Sequence, residues 1–269
     1  MPHFAANLVF LFNEHPFLER FEAAHRAGFD AVECMFHAEY DLDDIKALLK
    51  KNQLQLILCN LPAGNWPGGD RGMASDPGRR QEFRAGVAQG LHAAVTLGIP
   101  RMNCLVGLKN ETLTAGETWK TVKENVWYAA ETLGKEGIKL MVEPVNHFDM
   151  PGFALNTCEQ VVTLLDEIGH PNAYLQFDVY HARRENEDPA EILHNHFGRI
   201  GHIQIADCPG RHQPGTGTTD FKYLLPEIDR MGYRGFVSLE YIPVPDTLTS
   251  LEWLPAYGYP LNKKRSGEK

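Results

Sequence analysis

Eight apolar runs of strand length recur along the chain, near residues 4–10, 30–35, 54–60, 101–106, 139–143, 174–179, 201–206 and 235–241. Helical patterns separate each run from the next. Such alternation implies parallel strands joined by crossover helices. Eight units, rather than five or six, favour closure into a barrel over an open sheet. A chain of 269 residues, 43% of them hydrophobic, matches the size of one such barrel with one large core. The expectation is therefore an α/β chain forming a single (β/α)₈ TIM barrel over residues 1–261. Residues 262–269 read as a polar, basic C-terminal tail.

The helix boundaries carry their own signals. Thr114 and Glu117 form a capping-box pattern, as do Thr157 and Gln160. Val122, Val126, Ala129, Ala130 and Leu133 then recur at helical spacing, and Val161, Leu164, Leu165 and Ile168 follow the second box. Asp188-Pro189 places a cap before a proline at the first helical position. Gly28, Gly98, Gly137, Gly169 and Gly232 each close a helical stretch before a strand. The two longest irregular stretches, 61–78 and 207–220, follow strands and so belong at the C-terminal face.

Four of the later runs carry an oxygen-bearing side chain near their ends: Glu143, Asp178, Gln204 and Glu240. Burying three carboxylates among apolar residues is costly unless a cation offsets them. In a barrel of this type, functional groups gather where strands end and βα loops begin. Oxygen donors from successive strands would thus converge on one spot. The set contains no thiolate and suits a hard divalent ion, Mg²⁺ or Mn²⁺, better than Zn²⁺. The competing reading pairs each carboxylate separately with a buried Arg or Lys.

Other residues are placed near this set by position alone. His181 follows Asp178 by three residues, and His202 precedes Gln204 by two and shares its strand face. Either can orient a ligand or bond a substrate oxygen, and His202 reads equally as a satisfied barrel histidine. His147 lies in the loop after Glu143. The glycine-rich segment around Arg211 is suited to an anion but matches no P-loop or dinucleotide fingerprint. The segment around Trp66 reads as either a lid or a plain surface loop. No nucleophilic-hydrolase signature is present.

Bulk properties narrow the partners. A net charge of −9 disfavours a general nucleic-acid surface. The five cysteines are scattered, odd in number and free of C-x-x-C spacing, which fits a reducing cytoplasm better than a disulfide framework. No apolar run approaches 18 residues, so no membrane span is expected. A homo-oligomer is compatible with all of this.

Several segments together resemble the hydroxypyruvate isomerase family of xylose-isomerase-like barrels. They are Phe-Ala-Ala-Asn-Leu at 4–8, Asn-Leu-Pro-Ala-Gly-Asn-Trp at 60–66 and Asn-Cys-Leu-Val-Gly at 103–107. Glu-Pro-Val-Asn-His-Phe-Asp-Met-Pro-Gly-Phe at 143–153, Asp-Val-Tyr-His at 178–181, Gly-His-Ile-Gln-Ile-Ala-Asp at 201–207 and Pro-Gly-Thr-Gly at 214–217 continue the likeness over nearly the whole chain. The resemblance implies interconversion of hydroxypyruvate and tartronate semialdehyde through a metal-stabilised enediolate. It implies that Glu143, Asp178, Gln204 and Glu240 hold the ion and that Glu143 and Glu240 move the proton. His181, His202, His147, Arg211, Asn60, Trp66 and Lys109 make up the candidate substrate-binding set, with Arg211, Lys109 and His147 eligible to receive a substrate carboxylate. The chain departs from the family pattern at Gln213, at Thr218-Thr-Asp-Phe221 and at Ile242, where a lysine is expected. These departures leave open a related four-carbon 2-oxo acid. A ketose 3-epimerase using the same site, a DNA phosphodiesterase of the same fold class and a non-catalytic sugar-acid-binding barrel are the competing readings.

Overall fold

The computed structural model describes residues 1–35 and 40–261. Eight parallel strands close into a barrel in chain order: β1 His3–Asn7, β2 Ala31–Cys34, β3 Gln55–Asn60, β4 Arg101–Cys104, β5 Lys139–Val142, β6 Ala173–Asp178, β7 Ile200–Ile205 and β8 Phe236–Leu239. Between them run α1 Phe17–Ala27, α2 Leu42–Lys51, α3 Arg80–Leu97, α4 Ala115–Gly134, α5 Cys158–Ile168, the pair α6 Val179–Arg184 and α7 Pro189–His196, and α8 Phe221–Arg230. Two short helices, α9 Thr247–Ser250 and α10 Trp253–Ala256, follow the last strand. The expected single barrel is the observed architecture, and the tail from 262 lies outside the described residues.

Local chemistry explains the element ends. Both capping boxes form reciprocally, at Thr114–Glu117 and Thr157–Gln160. Asp188 accepts from the Ala190 and Glu191 amides ahead of α7. Gly28, Gly98 and Gly169 take the left-handed cap position. Gly137 and Gly232 are left-handed too, but lie in the turns just past α4 and α8.

Strands covered by helices on one side and by barrel interior on the other are buried on both faces. The main core accordingly fills the space between strands and helices. Inside the barrel, Ala5, Ala31 and Ile57 form a small separate apolar cluster with Phe236 against it. Asn7 and Glu33 lie two residues beyond Ala5 and Ala31, on the same strand faces. The interior thus changes from apolar to polar towards the C-terminal mouth. All five cysteines are buried free thiols. Among the described residues no helix is long and apolar enough to cross a membrane.

Candidate active site

Asp178 is the last residue of β6, and Gln204 is its cross-strand partner on β7. Glu143 and Glu240, expected as the last residues of their strands, are the first residues beyond β5 and β8, which end at Val142 and Leu239. All four therefore stand at the C-terminal mouth. Glu143, Asp178 and Gln204 are buried, and the Glu240 side chain keeps 13% exposure.

One oxygen of Glu143, one of Asp178 and a ring nitrogen of His181 lie within 4.8 Å of one another. His181 Nε2 stands 3.5 Å from Asp178 Oδ2 and 4.0 Å from Glu143 Oε1. Asp178 uses its other oxygen to cap α6, accepting from the Tyr180 amide at 2.8 Å. Arg211 joins the set from the loop after β7. Its Nη2 donates to Glu240 Oε2 at 2.9 Å and approaches Asp178 Oδ2 at 3.5 Å. Its guanidinium lies over the rings of Phe10 and Tyr180. Asn103 on β4 donates to Glu143 Oε2 at 2.7 Å and to Asn60 Oδ1 at 3.2 Å.

Beneath this group is a carboxylate that the sequence reading passed over. Glu33 on β2 is fully buried and accepts from Asn7, Gln204, His202 and Ser238 at 2.6–2.8 Å. Asn7 also donates to Glu240 Oε1 at 2.9 Å, so it ties Glu33 to the mouth. Gln204 is engaged at both ends: its Nε2 donates to Glu33, and its Oε1 accepts from Gln176. His202 is held by Glu33, which places it in this lower layer. The signal for Glu33 was available, since it is a lone carboxylate in the apolar run Ala-Val-Glu-Cys.

A second overlooked residue is Asp207. Its two oxygens accept from the backbone amides of Cys208, Gly215, Gly217 and Thr219. Those bonds organise the loop that carries Arg211. Arg211 sits at φ +55°, a left-handed conformation that costs a non-glycine residue about 1–2 kcal/mol. Its amide bonds Asp207 and its carbonyl accepts from Ile242, which holds it there. Gln213 pins the next segment by two bonds to the Val244 backbone.

The remaining predicted residues sit farther out. Asn60 and Trp66 line a cavity of about 470 Å³ between the loop after β3 and α3. That loop is braced by the Asp70–Arg79 ion pair, with both contacts at 2.7 Å. His147 is exposed and bonded to Glu185, and Lys109 is exposed. Ile242 is 45% exposed. A larger cavity, about 820 Å³, lies between α1 and the α9–α10 segment and contains none of these residues.

Charge balance defines what the mouth is suited to. Among the described residues, Glu143, Asp178 and Glu240 share the Arg211 guanidinium, while Glu33 below them is paired with His202. Burial, with help from the Asp178 charge, pushes Glu143 up to about 8. Burial likewise lifts Glu240 to about 8, against the pull of Arg211. Asp178 is raised by burial and by Glu240, with Arg211 opposing. For Glu33, burial acts upward, but His202 and the surrounding donors win and hold it below its ordinary value. Hard oxygen donors with surplus negative charge fit a divalent cation, and that cation would relieve the repulsion among them.

Comparison with known proteins identifies the family of the chain. The xylose isomerase-like TIM barrel family matches residues 21–257. The chain is 43% identical over 257 residues to hydroxypyruvate isomerase of Escherichia coli (strain K12), covering 96% of this chain and all of that one. It is 38% identical to 2-oxo-tetronate isomerase of Cupriavidus necator, over 96% of this chain and 99% of the relative. A Brucella melitensis crystal structure described as an AP endonuclease, family 2, superposes with a TM-score of 0.92 at 40% identity, covering 96% of this chain and 99% of that one. The chain is thus an isomerase enzyme that belongs to the hydroxypyruvate isomerase family, within the xylose isomerase-like TIM barrels.

Proposed function

We propose that this enzyme interconverts hydroxypyruvate and tartronate semialdehyde, moving a proton between adjacent carbons of an α-hydroxy carbonyl acid. The observation that carries the reading is the convergence of Glu143, Asp178 and Glu240 around Arg211 and His181 at the mouth, with burial raising both glutamates to about 8. A general base works best with a pKa near the operating pH. Burial raises both glutamates in the ion-free protein, and a bound cation would lower them again, so their basicity in the loaded enzyme is set by these two opposing effects. Glu143, Asp178 and Glu240 would hold a divalent ion, Mg²⁺ or Mn²⁺, and Gln204 would join them through the second lone pair of the Oε1 that accepts from Gln176. When bound, that ion would supply positive charge to stabilise the enediolate formed as the carbon loses its proton.

The chain's own groups do the rest. Asn103 steadies Glu143, and Asn7 steadies Glu240. Arg211 receives the substrate carboxylate: its buried Nε has no partner within the protein, and its stacking on Phe10 and Tyr180 fixes the plane of the fork. His147 and Lys109, at the surface, are the weaker claimants to that role. Replacing Asp207 by alanine should release the loop that holds Arg211. We expect kcat/KM to fall by about 10²-fold, the cost of a misplaced positioning group. Steady-state kinetics at unchanged kcat/KM would remove Arg211 placement from the argument.

The test of the whole reading is a substrate panel with controlled ion content. Chelator-stripped enzyme should be inactive on hydroxypyruvate and recover with Mn²⁺ or Mg²⁺. Binding the ion near pH 7 should release protons, because Glu143 and Glu240 must be deprotonated to ligate; apparent affinity should therefore rise as pH climbs towards 8. Calorimetry in buffers of different ionisation heat reads that release. Unchanged turnover after verified stripping contradicts the ion, and turnover of a free ketose in preference to hydroxypyruvate turns the reading towards a 3-epimerase. A four-carbon 2-oxo acid is the second reading, favoured by Ile242, an exposed apolar residue where the family pattern carries a lysine. The same panel includes it, together with an abasic DNA duplex as the control for a phosphodiesterase.

A further inference from the structure

Asn146 lies in the loop after β5 and is fully buried. Its side chain has one consistent orientation. Oδ1 accepts from the Phe148 amide at 3.1 Å and the Asp149 amide at 2.9 Å. Nδ2 donates to the Asp149 carboxylate at 3.0 Å and meets His181 Nδ1 at 2.6 Å. The opposite orientation would set Nδ2 against two backbone N–H groups and Oδ1 against a carboxylate. The Asn146 backbone amide also points at His181 Nδ1, at 3.3 Å. Two N–H donors thus converge on one ring nitrogen.

A nitrogen that accepts from two donors must present its lone pair. In a neutral imidazole the proton then resides on the other nitrogen. From this geometry we propose that Asn146 is a positioning residue that locks His181 in its Nε2–H tautomer. His181 therefore acts as a hydrogen-bond donor to a substrate oxygen and is not an ion ligand. Histidines that ligate metals show the reverse arrangement: the far nitrogen donates to a carboxylate or carbonyl while the near one binds the ion. Nε2 coordination here would require a doubly deprotonated ring or the loss of both Asn146 contacts. The Nε2–H points into the space beside Asp178 and Glu143, at 3.5 Å and 4.0 Å, too far for a full hydrogen bond to either. The donor is left available to a bound oxygen. The role assigned to the substrate rests on the isomerase reading above, whereas the tautomer does not.

The experiment uses the full-length, metal-free protein with ring-¹⁵N histidine and long-range ¹H–¹⁵N correlation, His181 being assigned from its missing signals in His181→Gln. At pH 7–8 the expected spectrum shows an unprotonated Nδ1 and a protonated Nε2, unchanged on addition of Mg²⁺. An Nδ1–H tautomer, a doubly protonated ring, or loss of the Nε2 proton on adding Mg²⁺ overturns the proposal. Asn146→Asp supplies the second arm: a carboxylate at that position calls for an Nδ1 proton. His181 should change tautomer or gain a second proton, and kcat should fall by about 10²–10³-fold, within the range of a lost acid–base group, with KM shifted less than about tenfold. Retained tautomer and retained kcat in a folded Asn146→Asp protein overturn it as well. If that variant does not fold, the wild-type spectrum decides alone. The expected tautomer in a protein that turns over none of the panel would leave this inference standing while the isomerase substrate assignment fails.

Discussion

Glu240→Gln should cut turnover of hydroxypyruvate by about 10²–10⁴-fold, the contribution of a positioned acid–base group. The amide keeps the size of the carboxylate and can still accept from Asn7 or Arg211, both of which bond Glu240. It cannot take up a proton at neutral pH. The loss should appear in kcat more than in KM, because a proton-transfer group contributes mainly in the transition state. Part of the ion affinity should survive, since an amide oxygen is also a hard donor. Stopped-assay kinetics beside calorimetric ion titration separate the two effects. Full activity in this variant would take Glu240 out of the chemistry.

The largest effect on stability is expected at Glu33. Glu33→Leu preserves bulk but leaves Asn7, Gln204, His202 and Ser238 aimed at an apolar side chain. An unsatisfied buried polar group costs about 1–3 kcal/mol. Breaking a buried charged cluster from one side costs about 3–5 kcal/mol in all. Against a typical net stability of about 5–15 kcal/mol, that is a large fraction. Glu33→Gln keeps one accepting oxygen and should lose less. Urea unfolding of the three proteins measures the order. A loss below about 1 kcal/mol in Glu33→Leu would mean that Glu33 is not the anchor of the inner layer. Activity should fall with stability, because Asn7 and Gln204 lose the partner that orients them.

Some of this molecule could be read directly from the chain. The eight apolar runs, the two capping boxes and the Asp188-Pro189 cap each reflect interactions within a few residues, and each appears where expected. Glu143, Asp178, Gln204 and Glu240 stood out because a charged or amide group at the end of an apolar run is conspicuous. Glu33 is also a carboxylate in an apolar run, but it lies within the run 30–35 rather than at its end, so the same signal is weaker there. Asn7 and Asn103 bear no charge, and Asn146 and Asp207 lie in loops. Nothing in their local sequence says which atoms they meet, since their partners lie between 1 and 233 positions away.

By itself, the sequence determined the eight-unit architecture, the capped helix starts at Thr114, Thr157 and Asp188, and the strands that bring carboxylates to one mouth. These follow from hydrophobic periodicity and cap chemistry, which act over a few residues. Only the closed barrel decided which donors share a layer. It set Glu33 beneath Glu240 through Asn7, brought Arg211 onto Asp178, and faced Asn146 towards one particular nitrogen of His181. Proton location and ligand convergence depend on distances of a few ångströms between residues far apart in the chain, and those distances exist only once the ring of strands has closed.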